Sequence, residues 1–417
     1  MNFTGFNLNP FIVEGVERAG YSTPTPIQAA AIPVIMSGCD LLAGARTGTG
    51  KTAAFALPLL HKIISHHEVA VGTDETKKRL TTLVLVPTRE LAQQVNDSFK
   101  TYAKGSDFRS AVVYGGVGIK PQIDQIKKGI DLLVATPGRL LDLSKKRAVN
   151  LSSIDVLVFD GADRMLDMGF KDEIRAVMSK LPKSTPEAKT RQTLLFSATL
   201  NDNIYKFSKH LLSKPELIEV DQRNSTSLDV AQVVYNCDPE RKVALVSHLI
   251  SKEGWQQVLI FSRTKLGADQ IAAALSLTGL RAEAIHADRS QASREQALDE
   301  FKQGAVNVLV ATDVAARGID IQQLEAVINF EVPYKPEDYV HRIGRTGRAG
   351  HQGKAVTLLI EEENYLLEEI EVLLDTRLPQ QWLEGFEPDF TRVIEVGRKN
   401  SKTAQKRRAK KRALGKR

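Results

Sequence analysis

The sequence predicts an α/β fold in two domains. Each is a mostly parallel sheet flanked by helices, and a disordered basic tail follows them. Three observations carry this reading. Short β-rich runs alternate with longer helical stretches in two sets, a polar segment parts the sets, and positive charge gathers at the C-terminal end. With 417 residues, 42% of them hydrophobic, the chain is long enough to bury two cores of ordinary size.

The first set of strand-like runs is CDLLAGA (39–45), TTLVLVP (81–87), SAVVYGG (110–116), DLLVATP (131–137), IDVLVFD (154–160) and TLLFSAT (193–199). The second is QVLIFS (257–262), AEAIHA (282–287), VNVLVAT (306–312), AVINFEV (326–332) and KAVTLLI (354–360). Strands apolar on both faces and separated by helices belong to parallel sheets covered on both sides. DQRNSTSLD (221–229) is polar and lacks apolar periodicity, so it reads as an interdomain linker. LVAT occurs at 133–136 and again at 309–312, each time followed within five residues by an arginine, which hints at two related domains. The expected organisation is an N-terminal motif region (1–29), a first domain (30–220), the linker (221–229), a second domain (230–377) and a C-terminal extension with the tail (378–417).

No apolar run is long enough to span a bilayer. MNFTGFNLNP lacks a basic start followed by an apolar core, so no signal peptide is expected. Cys39 and Cys237 lie far apart and suggest neither a disulfide framework nor a zinc site. A cytoplasmic protein without a membrane partner is the simplest reading. The net charge is +7, but residues 398–417 hold eleven Lys or Arg and no acid, which leaves −4 for the rest. Such a tail suits a polyanion, with a merely solubilising terminus as the bland alternative.

The chemistry begins at ARTGTGKT (45–52), which follows a strand and opens a helix-like stretch. It fits the phosphate-binding loop GxxxxGKT with Ala45 at the first Gly position. Thr47, Gly48, Thr49 and Gly50 can cup phosphate with backbone N–H groups at the helix N-terminus. Lys51 would reach the β- and γ-phosphates, and Thr52 would ligate Mg²⁺. Asp160 ends a buried strand in VLVFDGADRM (156–165) and can hold the Mg²⁺ shell, partly through water. Taken alone, an Asp at a strand end is more often a helix cap; the upstream loop changes that. HRIGRTGRAG (341–350) places Arg345 and Arg348 among glycines. Their planar, permanently charged forks suit phosphoryl oxygens, as arginine fingers do.

Together these residues resemble the DEAD-box RNA helicases over about residues 3 to 375. PTPIQ (24–28), PTRELA (87–92), GG (115–116), TPGR (136–139), SAT (197–199), FSRT (261–264), ATDVAARGID (311–320) and HRIGRTGR (341–348) fall in the family's order. RMLDMGF (164–170) and WQQVLIFSRTK (255–265) are closest to the bacterial RhlE-type branch.

The resemblance implies two RecA-like domains that close on ATP and single-stranded RNA. It implies that Gln28 reads adenine with Tyr21 packed on it, Phe3 holding the upstream aromatic position. Thr88, Arg89, Gly116, Thr136, Gly138 and Arg139 would touch the RNA backbone from the first domain. Arg263, Thr264, Thr312 and Arg317 would do so from the second. Asp320 looks like the second-domain ribose contact. Ser197, Thr199 and His341 would couple the ATP site to the domain interface. A monomer acting on RNA is implied, with ribosomal RNA or a ribonucleoprotein as the target the bacterial branch suggests. Backbone contact suits an enzyme indifferent to sequence, because phosphates fix register and carry little sequence information.

One departure lies in the motif that names the family: Asp160-Gly161-Ala162-Asp163 replaces D-E-A-D. Position 46, often Gln in the family, is Arg46. The missing Glu would have oriented and polarised the attacking water, and removing a general base typically costs ~10²–10⁴-fold. The groups that bind ATP remain, so binding should outlive hydrolysis. Three readings of Gly161 stand open: a single changed codon, a natural variant acting as an ATP-gated RNA clamp, or base function supplied by another residue or a water chain. The expected function is an ATP-dependent RNA helicase with weakened turnover, and the alternative is the clamp.

Overall fold

The computed structural model describes residues 2–45, 48–70, 79–182, 191–220, 230–316, 321, 324–347 and 353–389. The chain forms two compact units, with the described residues up to 220 in one and those from 230 in the other. The expected linker, the basic tail, Arg46, Thr47, Arg317, Asp320 and Arg348 lie outside the described residues.

The first unit holds β1 (Leu41–Gly44), β2 (Thr82–Leu85), β3 (Ser110–Val113), β4 (Leu132–Ala135), β5 (Val156–Asp160), β6 (Gln192–Ser197) and β7 (Glu216–Glu219). They form one sheet in the order β3-β4-β2-β5-β6-β1-β7. Every pairing is parallel, with Gly44 opposite Ser197 and Asp160 opposite Phe196. All residues of β1, β2, β4, β5 and β6 are buried, because helices cover both faces. One face packs Val84, Val134, Val158 and Phe196 against helices that include Pro26–Met36 and Lys51–Ala70. The other packs Leu83, Leu133, Leu157 and Leu195.

The second unit holds β8 (Val230–Asn236), β9 (Val258–Ser262), β10 (Ala282–Ile285), β11 (Val308–Thr312), β12 (Ala326–Asn329), β13 (Gly353–Leu359) and β14 (Gln380–Gln381). Their order is β10-β11-β9-β12-β13-β8-β14, again parallel throughout. Counted from its own first strand, this is the order of the first sheet. The two LVAT segments end β4 and β11, which hold equivalent places in the two sheets.

All eleven runs read as strands are strands, and the described residues hold three more. β7 is a short exposed edge carrying two glutamates, as edge strands that resist further pairing do. β8 begins where the polar segment ends and pairs with β13. β14 contributes two residues beside β8. Packing therefore continues past residue 377: Leu378 is buried, and Phe386 lies 5.4 Å from the His248 ring.

Candidate active site and nucleic-acid interface

Apart from Phe3, Tyr21 and Gln28, which precede β1, the expected functional residues described in each sheet lie at or beyond the carboxyl ends of the strands, where parallel α/β sheets place their ligands. In the first unit they divide between two halves of that edge. Nucleotide candidates follow β1, β5 and β6, which are neighbours, and RNA candidates follow β2, β3 and β4.

β1 delivers Ala45, whose N–H donates to the Ser197 carbonyl at 3.1 Å. Gly48 and Gly50 then take φ of +80° and +92°, which L side chains rarely adopt. A Cβ on Gly50 would also collide with the Gln28 amide. Thr49 completes the loop, and Lys51 and Thr52 open the helix Lys51–Ala70. The Lys51 ammonium is buried and donates to the Ala45 carbonyl. Gln28 is also buried. Its Oε1 accepts from Thr25 N at 2.9 Å, and its Nε2 donates to the Gly50 carbonyl at 3.2 Å. A side-chain amide has two N–H groups and two acceptor sites, and these two bonds use one of each. Tyr21 is exposed, whereas Phe3 is buried on the 3₁₀ turn Phe3–Phe6 and packs into the core. Phe3 is thus placed as a core residue.

Asp160 is the last residue of β5 and is 5% exposed. Burial pushes its carboxyl up from the ordinary value. The positive charges of Lys51 and Arg164 oppose this, and the charge of Asp163 adds to it. Gly161 follows with φ 81° and ψ 48°, in the left-handed region, as the N-cap of the helix Ala162–Asp167. Its N–H donates to the Phe196 carbonyl at 3.0 Å. Asp163 turns toward the segment after β6: its Oδ2 accepts from Ala198 N at 3.2 Å and Thr199 Oγ1 at 3.5 Å. Ser197 Oγ donates to the Thr199 carbonyl at 2.7 Å. Asp163, Ser197 and Thr199 therefore form one connected group beside Asp160. Arg164, 5% exposed, was not among the expected residues although it bears on Asp160 electrostatically. Its neighbouring position in the motif was the available signal.

On the other half of the edge, Thr88 caps the helix Arg89–Tyr102 by accepting from Leu91 N at 3.3 Å. The Arg89 guanidinium lies where a Cβ on Gly116 would sit, and Gly116 has φ +84°. Thr136 precedes the helix Pro137–Lys145, which carries Gly138 and Arg139 in its first turn. Arg139 donates to Gln122 Oε1 at 3.0 Å and to the Val117 carbonyl at 2.9 Å, tying together the segments after β3 and β4. An open cleft of about 490 Å³, lined by Val117, Ile119, Arg139, Asp142, Lys145 and Lys146, adjoins them.

In the second unit Arg263 and Thr264 follow β9, and Thr312 ends β11 beside it. Thr264 caps its helix by accepting from Gly267 N at 2.9 Å. The Arg263 side chain is drawn inward. Its Nε donates to the Val332 carbonyl at 2.6 Å, and its guanidinium pairs with the buried Glu363. His341 lies on the helix Pro336–Ile343, and Arg345 is buried on the turn after it. Arg342, between them, was missed. It is 1% exposed and makes two 2.7 Å bonds to Asp313, one of 3.1 Å to Asn329 Oδ1 and one of 2.8 Å to the Glu331 carbonyl.

Residues 25–207 match the DEAD/DEAH box helicase family, and residues 241–350 match the helicase conserved C-terminal domain. The chain is 40% identical over 388 residues to the ATP-dependent RNA helicase CshA of Listeria monocytogenes, across 92% of this chain and 72% of that protein. It is 41% identical over 373 residues to the DEAD-box ATP-dependent RNA helicase CshA of Bacillus subtilis, across 89% and 72%. Among solved structures it is similar to S. cerevisiae Dbp5 bound to RNA and ADP BeF3, with TM-score 0.78 and 26% identity over 99% of both chains. It is also similar to the DEAD-box helicase Mss116 bound to ssRNA and UDP-BeF, with TM-score 0.80 and 28% identity over 90% of this chain and 78% of that one. The two sheets with their helices are RecA-like domains in tandem, and the chain belongs to the DEAD-box family of ATP-dependent RNA helicases.

Proposed function

We propose that this protein is an RNA-stimulated ATPase that grips the backbone of single-stranded RNA and separates or remodels short RNA duplexes. Its hydrolysis is slowed because Gly161 stands where a water-orienting glutamate is expected. The observation that carries the reading is the division of one sheet edge. Lys51, Thr52 and Asp160 gather at the ends of β1 and β5, while Thr88, Arg89, Gly116 and Arg139 gather at the ends of β2, β3 and β4.

In this reading Gln28 and Tyr21 take the adenine. Ala45 to Thr52 cradle the phosphates, and Lys51 neutralises them. Arg345 and Arg348 supply further positive charge to the phosphoryl oxygens, Asp320 takes the ribose, and Ser197, Thr199 and His341 link the nucleotide to RNA affinity. Thr136, Gly138, Thr264, Thr312 and Arg317 complete the RNA track. Thr52 and Asp160 fit a Mg²⁺ ion. Asp160 is a desolvated carboxylate beside a phosphate loop, and Mg²⁺ takes one or two carboxylates and completes its shell with water and phosphate. When bound, that ion would offset charge on the phosphoryl oxygens.

Gly161 specifically favours a second reading, an ATP-gated RNA clamp with little turnover. The branch within the family is a finer matter. RMLDMGF and WQQVLIFSRTK support an RhlE-type chain, whereas the relatives compared above carry the name CshA. No helix among the described residues is long and apolar enough to cross a membrane.

The test is steady-state phosphate release with and without single-stranded RNA, run beside separation of a short labelled duplex. The helicase reading expects slow, RNA-stimulated release and ATP-dependent separation, both abolished by Lys51→Ala. ATP-dependent RNA retention with no release would establish the clamp. RNA-independent release would contradict both.

A further inference from the structure

β12 lies beside β9, and β9 beside β11. The segment that leaves β12, Phe330 to Tyr334, therefore starts from the same sheet edge as Arg263, Thr264 and Thr312. Within it Tyr334 is 61% exposed. A lone exposed aromatic is ordinary surface and usually means nothing. This one is different in what lies against it. The Arg263 guanidinium sits 4.4 Å from the centre of its ring. That guanidinium is held by the Val332 carbonyl and by Glu363, and its side chain is only 12% exposed. Glu331 adds a further anchor by accepting from the Arg263 backbone N–H at 2.8 Å. One ring face thus rests on a fixed cation, and most of the residue remains in water.

This changes what the strand ends offer to RNA. The Arg263 guanidinium, expected to touch the backbone, is spent on Glu363 and Val332 and covered by the ring. The group presented at that point is the tyrosine. A ring held in place by a cation–π contact loses little freedom when a second flat surface stacks on it. Single-stranded nucleic acids are gripped by aromatic platforms of this kind, and the grip tolerates any sequence because every base has a π-face.

We propose that Tyr334, seated on Arg263, is a stacking platform for one base of bound single-stranded RNA. The inference deepens the RNA-binding reading and rests on it. Arg263 then acts as a positioning residue, fixing the ring without meeting the RNA.

The test uses the full chain with ADP and beryllium fluoride. Affinity is measured for a short single-stranded RNA and for the same RNA with abasic sites, which keep the backbone and lose the bases. The wild-type protein should prefer the base-containing RNA by roughly tenfold, from the usual worth of one base–aromatic stack. Tyr334→Leu keeps Arg263 covered with an apolar side chain and removes the ring. It should erase that preference while leaving abasic RNA binding and thermal stability unchanged, and Tyr334→Trp should retain the preference. An undiminished preference in Tyr334→Leu would overturn the proposal and leave the RNA-binding reading intact. Failure of the wild-type protein to bind either RNA would overturn both.

Discussion

Gly161 has taken up a conformation that L side chains rarely adopt. At φ 81° an ordinary side chain would be strained by roughly 1–2 kcal/mol. Space is not the obstacle, since the nearest atoms to an added Cβ are Pro87 carbons at 3.5 Å. A glutamate there would have to move the backbone between Asp160 and the helix Ala162–Asp167. The residue before it carries a cost of another kind. Burial pushes the Asp160 carboxyl up, so the folded state gives up this proton less readily than the unfolded chain does. Stability of the nucleotide-free protein should therefore fall as pH rises from the ordinary carboxylate value through the raised one. Asp160→Asn should stabilise the nucleotide-free protein by about 1 kcal/mol, a typical gain where function has kept a costly group. It should also flatten that pH dependence and remove the Mg²⁺-dependent part of ATP binding. Thermal unfolding across pH, with and without Mg-ATP, checks all three outcomes. A less stable variant would show that Asp160 is structural.

Elements carry the next level of constraint, and Arg342 shows how. It joins the helix Pro336–Ile343 to Asp313 after β11, to Asn329 of β12 and to Glu331, and it lies 5.0 Å over the Phe261 ring of β9. Removing one partner of a buried ion pair typically costs about 3–5 kcal/mol, because the other charge is stranded. Arg342→Ala should therefore lower the unfolding free energy of the second domain by about 3–5 kcal/mol and leave the first domain unchanged. Arg342→Lys should rescue poorly, since an ammonium cannot reproduce the two-pronged bond to Asp313. Equal stability of the alanine variant, followed by denaturant unfolding, would show that the network is idle. HRIGRTGR holds three arginines, of which the sequence reading singles out Arg345 and Arg348. Which one turns inward depends on Asp313 and Asn329, partners distant in sequence, and local spacing says nothing of them. The phosphate loop and Asp160 were legible because their chemistry is contiguous. β7 was not, because ELIE is four residues with charges at both ends; β14 was not, because two residues leave no pattern. Phe3 was assigned from its place before PTPIQ, and only packing reveals that its ring completes the core.

Across the chain the same strand order occurs twice, and in each sheet candidate site residues follow the carboxyl ends of the strands. The groups proposed to bind nucleotide follow β1 and β5, and we propose that the step after binding is slow because of Gly161. The comparison to make is RNA-stimulated phosphate release by the Gly161 protein and by Gly161→Glu, at saturating ATP and RNA, with ATP affinity determined in parallel. The glutamate variant should turn over roughly 10²-fold faster or more, the size of a general-base contribution, with ATP affinity nearly unchanged despite some loss of stability. Equal rates in two folded, ATP-binding proteins would mean that another group handles the water, and would contradict the account.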